Sequence, residues 1–244
     1  MVAFGILSQN LPTQKPSPAL SRPVQELFAL RDEVIALKRE GRHRDALPKA
    51  EESVRRHVSL LSENSRYTAE SYCRLGQVQE ELGTFREAEA SFREAVEIWK
   101  KMLGPDHEDT AAGMSNLAGA LSSQHRFEEA LSLYQRALAA TEKATSPRSS
   151  ATATILDNLG RLLRDMGRYR EAEGYYRRAL AFREELPENG ADIAQSLENL
   201  TMVFPGRRAK SNGQSPTSAT FRRADTNGPP ASQRLGAGWS AKRP

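Results

Sequence analysis

Ala153-Thr-Ile-Leu-Asp-Asn-Leu-Gly-Arg-Leu-Leu-Arg-Asp-Met-Gly-Arg-Tyr-Arg-Glu-Ala-Glu-Gly-Tyr-Tyr-Arg-Arg-Ala-Leu-Ala-Phe182 reads as two amphipathic helices joined by a tight turn at Gly167. The same paragraph is written upstream. Gly83 lies 84 residues before Gly167, two steps of 42, with His125 at the midpoint and Gly41 one step before Gly83. Five residues after each turn comes an alanine, Ala46, Ala88, Ala130 or Ala172. Four further on stand Ala50, Phe92, Tyr134 and Tyr176, and three beyond those Ser53, Ala95, Ala137 and Ala179. Several positions recurring in phase at one period specify an array of stacked helix pairs.

The first helix of each pair repeats as well. Leu75, Leu117 and Leu159 stand eight residues before their turns, each followed by a small residue, Gly76, Ala118 or Gly160. A small residue there permits a close approach, and the aromatics of the second helices fill the space between. This large–Leu–small, Ala, aromatic, Ala pattern resembles the tetratricopeptide repeat, whose usual length is about 34 residues. The 42-residue version, with the loop Leu103-Gly104-Pro105-Asp106-His107-Glu108-Asp109 and the phrases Asn-Leu-Ala and Asn-Leu-Gly, is similar to the long repeats of kinesin light chains and nephrocystin-3-like proteins. The resemblance runs from about Val24 to Phe204. It implies an all-α, right-handed solenoid of nine helices whose first helices line a concave surface.

The totals agree with a thin, continuous core. Hydrophobic residues make up 38% and charged residues 27% of 244, a low apolar share for a globular domain. A single cysteine, Cys73, allows no internal disulfide and points to a reducing compartment, the cytoplasm. No stretch approaches the ~20 apolar residues of a transmembrane helix. From Pro205 onward eight basic residues face Asp225 alone, 8 − 1 = +7, which leaves 4 − 7 = −3 for everything before it.

Taken in order, residues 1–23 carry four prolines and no acid and read as a disordered leader. The absence of acids leaves a mitochondrial transit segment as the alternative. Residues 24–204 form the array, with repeats at about 24–65, 66–107, 108–149 and 150–189 and a closing helix at 190–204. The first repeat is degenerate and reads as an imperfect cap: Val34 replaces the small residue, His43 the aromatic, and Pro48 threatens a kink in its second helix. The apolar end Met202-Val203-Phe204 is expected either to dock back on the last repeat or to mark a longer array cut short. Residues 205–244 have almost no aliphatics, so disorder is expected. The pairs Arg207-Arg208 and Arg222-Arg223 suit nucleic acid, acidic membrane or a nuclear import receptor.

Catalytic and metal constellations are not found. No two of His43, His57, His107 and His125 stand four residues apart, as a helical metal pair requires. Asp106-His107-Glu108-Asp109 looks like a ligand cluster, but Asp106 or Asp109 is more simply the cap of the next helix. No enzyme, cofactor or metal is expected.

The register set by the small residues places Arg74 and Gln77 of repeat two, Asn116 of repeat three, Asn158, Arg161 and Arg164 of repeat four, and Asn199 of the closing helix on the inner side. Asparagine forms helix poorly, so three at one phase need a reason. One is a bond to neighbouring helix backbone. The other comes from the resemblance, which implies an asparagine that clamps the main chain of a bound extended peptide through its paired donor and acceptor. Arg161 and Arg164 would then favour an acidic ligand, or simply sit solvated. The expected function is a non-enzymatic scaffold or adaptor holding a peptide of a partner protein in the concave groove. The alternative is a factor that meets nucleic acid or acidic membrane through its basic tail, with the repeats as scaffold.

Overall fold

The computed structural model describes residues 22–143, 149–185 and 190–203. The expectations for the leader before Arg22, for the link at 144–148 and for the tail from 204 lie outside these residues. Among the described residues the chain forms nine α-helices and no strand. They are α1 (Arg22–Arg39), α2 (His43–Leu61), α3 (Arg66–Glu81), α4 (Phe85–Leu103), α5 (Glu108–Ser123), α6 (Phe127–Lys143), α7 (Ser150–Asp165), α8 (Tyr169–Glu184) and α9 (Gly190–Val203). Each packs chiefly on the helix before and the helix after it, as a solenoid requires. Arg22 and Pro23, expected in the leader, belong to α1; its first turn tolerates a proline because the missing N–H has no partner there.

The turns explain the period. Gly41, Gly83 and Gly167 have φ of 71°, 78° and 75°, and His125, the one non-glycine in the series, has 60°. Each turn closes with the same pair of bonds. Gly167 N–H donates to Arg164 at 2.9 Å and Arg168 N–H to Leu163 at 2.8 Å, while His125 N–H donates to Ser122 at 2.9 Å and Arg126 N–H to Leu121 at 3.0 Å. This is the left-handed helix stop that glycine favours. His125 adopts it with its ring edge-on to Phe127, centroids 5.5 Å apart.

The phased alanines and aromatics are the core. Phe92, Tyr134, Tyr176 and the alanines flanking them are 0–1% exposed. A Cβ on Gly76 would stand 2.7 Å from a ring carbon of Phe92, and one on Gly160 2.7 Å from Tyr176. The small residue is therefore the seat of its own repeat's aromatic ring. Pro48 lies within a continuous α2 on its exposed side. Val203 is 2% exposed against Leu163, Ala172 and Tyr176, so the end of α9 docks on the fourth repeat.

The cap of α5 differs from expectation. His107, not Asp106 or Asp109, holds the helix start, its Nδ1 accepting from the Asp109 N–H at 3.1 Å. Asp106 pairs instead with Lys143 at 3.2 Å, and Asp109 with Arg66 at 3.4 Å. Among the described residues no three His, Cys, Asp or Glu side chains converge as a metal site would require.

Candidate functional site: the inner side of the first helices

The helices α3, α5, α7 and α9 succeed one another and touch directly, α3 on α5, α5 on α7 and α7 on α9. α5, in the middle of this row, is rich in small residues. Ala111, Ala112, Gly113, Ser115, Ala118, Gly119 and Ala120 are seven of its 16 residues, and every residue from Thr110 to Leu121 is buried. This overturns part of the expected surface. Asn116 is 5% and Gln77 4% exposed, and the Arg74 side chain, 12% exposed, is held by Glu70 at 3.2 Å. Residues placed on an open groove are closed in, because α5 lacks the side-chain bulk to hold its neighbours apart.

The asparagines have partners one repeat upstream. Asn116 Nδ2 donates to Cys73 Sγ at 3.2 Å, and Asn158 Nδ2 to Ser115 Oγ at 3.5 Å. Asn199 bears on the Asp157 carboxyl and favours its charged form. Cys73, Ser115 and Asp157 are themselves 42 residues apart. The phased asparagines thus form a ladder between successive first helices, reaching side chains rather than the expected backbone.

What remains open lies toward α9. Asn158, Arg161, Arg164 and Asn199 are half-buried, and Met202 is 46% exposed. Arg161 Nη2 donates to Asn158 Oδ1 at 2.9 Å. Arg164 donates to Asp165 at 3.0 Å and reaches Met202 Sδ at 3.6 Å. These four of the seven expected residues share one polar edge on α7 and α9.

Two ionic groups are buried that the sequence did not mark as such, Glu80 being expected on the inner surface. Arg183, in the last turn of α8, donates from one nitrogen to both Asp157 and Ser196, joining α7, α8 and α9. Its phase was the available signal: positions 57, 99 and 141 hold His57, Trp99 and Thr141, all buried. The other group is Glu80, 9% exposed, whose Oε1 has no partner among the described residues. Burial pushes its carboxyl from 4.5 up to about 8, opposed by the charges of Arg161 and Lys38 and reinforced by Glu81. A carboxyl whose folded value is raised stabilises below its unfolded value, and that stability is lost as pH rises through the folded one. Glu80→Gln, which cannot ionise, is therefore expected to melt above the wild type at pH 9, by an amount on the order of a few kcal/mol. The gap should narrow toward pH 5. Paired melts across this range check it, and a gap that does not change with pH refutes it.

The tetratricopeptide repeat family model matches residues 29–101, 81–143 and 109–185. The chain belongs to the tetratricopeptide repeat family. No curated protein sequence matches it. Among solved structures, this tetratricopeptide array is similar to BtubC (BKLC) from P. vanneervenii, with 22% identity, 86% of this chain and 89% of that one covered, and a TM-score of 0.65. It is also similar to a kinesin light chain candidate from Podosopora anserina with nearly identical TPR-like repeats, at 18% identity, 78% and 90% coverage and a TM-score of 0.63. A Rap protein complexed with competence and sporulation factor shares 19% identity over 75% of this chain and 49% of that one, TM-score 0.64. At these identities the likeness is one of fold, the long-repeat fold seen in kinesin light chain-like proteins.

Proposed function

We propose that this tetratricopeptide protein is a non-enzymatic adaptor that holds an extended, acid-containing peptide of a partner along the inner edge of α7 and α9. The carrying observation is the cluster of Asn158, Arg161, Arg164 and Asn199, half-buried side by side on rigid helices. Two guanidinium groups fixed by neighbours lose little freedom on meeting a carboxylate, and their planar forks suit it. The Asn158 amide, with one N–H on Ser115 and one oxygen lone pair taken by Arg161, keeps a second N–H and a second lone pair to offer a peptide unit. The partial burial of the edge raises the strength of each such contact over its value in water. The repeat family commonly serves as a protein-interaction scaffold, and the Rap protein of the same fold was solved with a factor bound. No helix among the described residues is long and apolar enough to cross a membrane. With its lone thiol buried, we assign the adaptor to the cytoplasm.

The test begins with a pull-down by the full chain to obtain a ligand, followed by titration. Asn158→Ala is expected to cost about 1–3 kcal/mol of affinity with the fold intact. Arg161→Glu with Arg164→Glu should weaken an acidic ligand further and flatten the salt dependence of binding. Wild-type affinity in both variants refutes the reading. Binding that falls steeply with salt and depends on residues 205–244 favours the alternative, nucleic acid or acidic membrane.

A further inference from the structure

Within each repeat, the first helix is covered by the second along one row of side chains. In α7 that row is Ala153, Leu156, Gly160 and Leu163, all buried, and the ring of Tyr176 from α8 lies over it. In α5 it is Ala111, Met114, Ala118 and Leu121, again all buried. Forty-one residues beyond the α7 row come Ala194, Leu197 and Thr201 of α9. All three are exposed, Leu197 by 49%. The other side of α9 is already docked, with Ser196 0% and Val203 2% exposed. α9 therefore continues the stacking interface of the array and presents, uncovered by any described residue, the row on which α5 and α7 each receive a helix.

We infer that the row Ala194, Leu197 and Thr201 is a docking surface for an amphipathic helix of a partner protein, apolar on one side and basic along its flanks. The helical form follows from continuity: the row has the spacing that seats α6 and α8. The basic flanks follow from charge, since Glu198, one turn after Ala194, borders the row and α9 has no basic residue. That acid also opposes a second copy's α9, because pairing the two rows would bring carboxylate toward carboxylate. Thr201 limits what the partner presents opposite it. A Cβ at Gly160 would already stand 2.7 Å from Tyr176, whereas Ala118 coexists with a buried Tyr134. The partner's side chain there is therefore seated no deeper than Tyr134 is over Ala118. Leu197 and Thr201 stand two residues to either side of Asn199, on another side of α9 from the peptide edge, so the two surfaces fail or stand separately.

The probe is a synthetic, end-capped peptide of residues 127–143, the α6 sequence, with Glu128, Glu129 and Glu142 replaced by lysine. Titrated into the full chain, it is expected to bind, and Leu197→Asp, a change at a half-exposed side chain that circular dichroism should show to fold normally, is expected to weaken it at least tenfold. The unmodified α6 peptide should bind several-fold more weakly at low salt. Absence of binding, or equal binding by Leu197→Asp, overturns the inference. So does a dimer in sedimentation that Leu197→Asp dissolves, since a second copy would then be the occupant.

Discussion

Gly160→Leu is expected to collapse the fourth repeat. Its Cβ alone would lie 2.7, 2.8 and 2.9 Å from three ring carbons of Tyr176, and three further carbons must follow. The ring has nowhere to go. Tyr176 is 0% exposed, packed with Leu163, Ala172 and Val203, and its hydroxyl is buried without a partner among the described residues. Overpacking of this kind costs about 1–3 kcal/mol and sometimes more; with the ring enclosed on all sides, the upper end or beyond is expected. That corresponds to a melting temperature lower by on the order of 10 °C, or to no cooperative melt. The control is Gly174→Ala in α8, where an added Cβ meets nothing within 4 Å. It should instead stabilise by about 0.5–1 kcal/mol through helix propensity. Equal melting of Gly160→Leu and the wild type would show the ring to be mobile.

Arg183→Met is expected to be at least as damaging, for an electrostatic reason. Arg183 is 5% and Asp157 8% exposed, and burial already lifts the Asp157 carboxyl despite the guanidinium beside it. Without Arg183, a buried carboxylate keeps only the lesser influence of Arg161 and Asn199 to favour its charge, a change worth about 3–5 kcal/mol. The loss should be pH-dependent. The carboxyl of the variant is raised further, so its stability is greatest at acid pH, where it is protonated, and falls as pH rises through that value. Arg183→Met combined with Asp157→Asn should recover much of the loss, since no charge is then left buried. A double variant as unstable as Arg183→Met would mean that packing, not charge, is what Arg183 supplies. Ser196 belongs to α9, so hydrogen exchange in α9 should quicken first.

These two positions also show what could be read before folding. Gly160 was legible because the glycine, the alanines and the aromatic recur at fixed phase, and a repeat reports each constraint several times. Arg183 was not, because it appears once, in a slot otherwise filled by His57, Trp99 and Thr141. The asparagines were legible as a phased set. Their use was not, since whether an inner amide meets a ligand or the preceding repeat depends on how closely the first helices approach. That distance is set by the small residues of α5, which look innocuous one at a time. The His107 cap was missed because its aspartate neighbours are the commoner residues for the task.

The burial of α5 from Thr110 to Leu121 has a meaning for divergence. A stretch of helix with no outward side has no position free to drift, and each of its small residues is enclosed. The middle of this array is thus closed to the gradual change by which adaptors acquire new partners. Descendants of this chain that exchange one ligand for another are expected to differ at the array's extremities, in α7 and α9 above all, while the α5 text from Thr110 to Leu121 stays nearly unaltered.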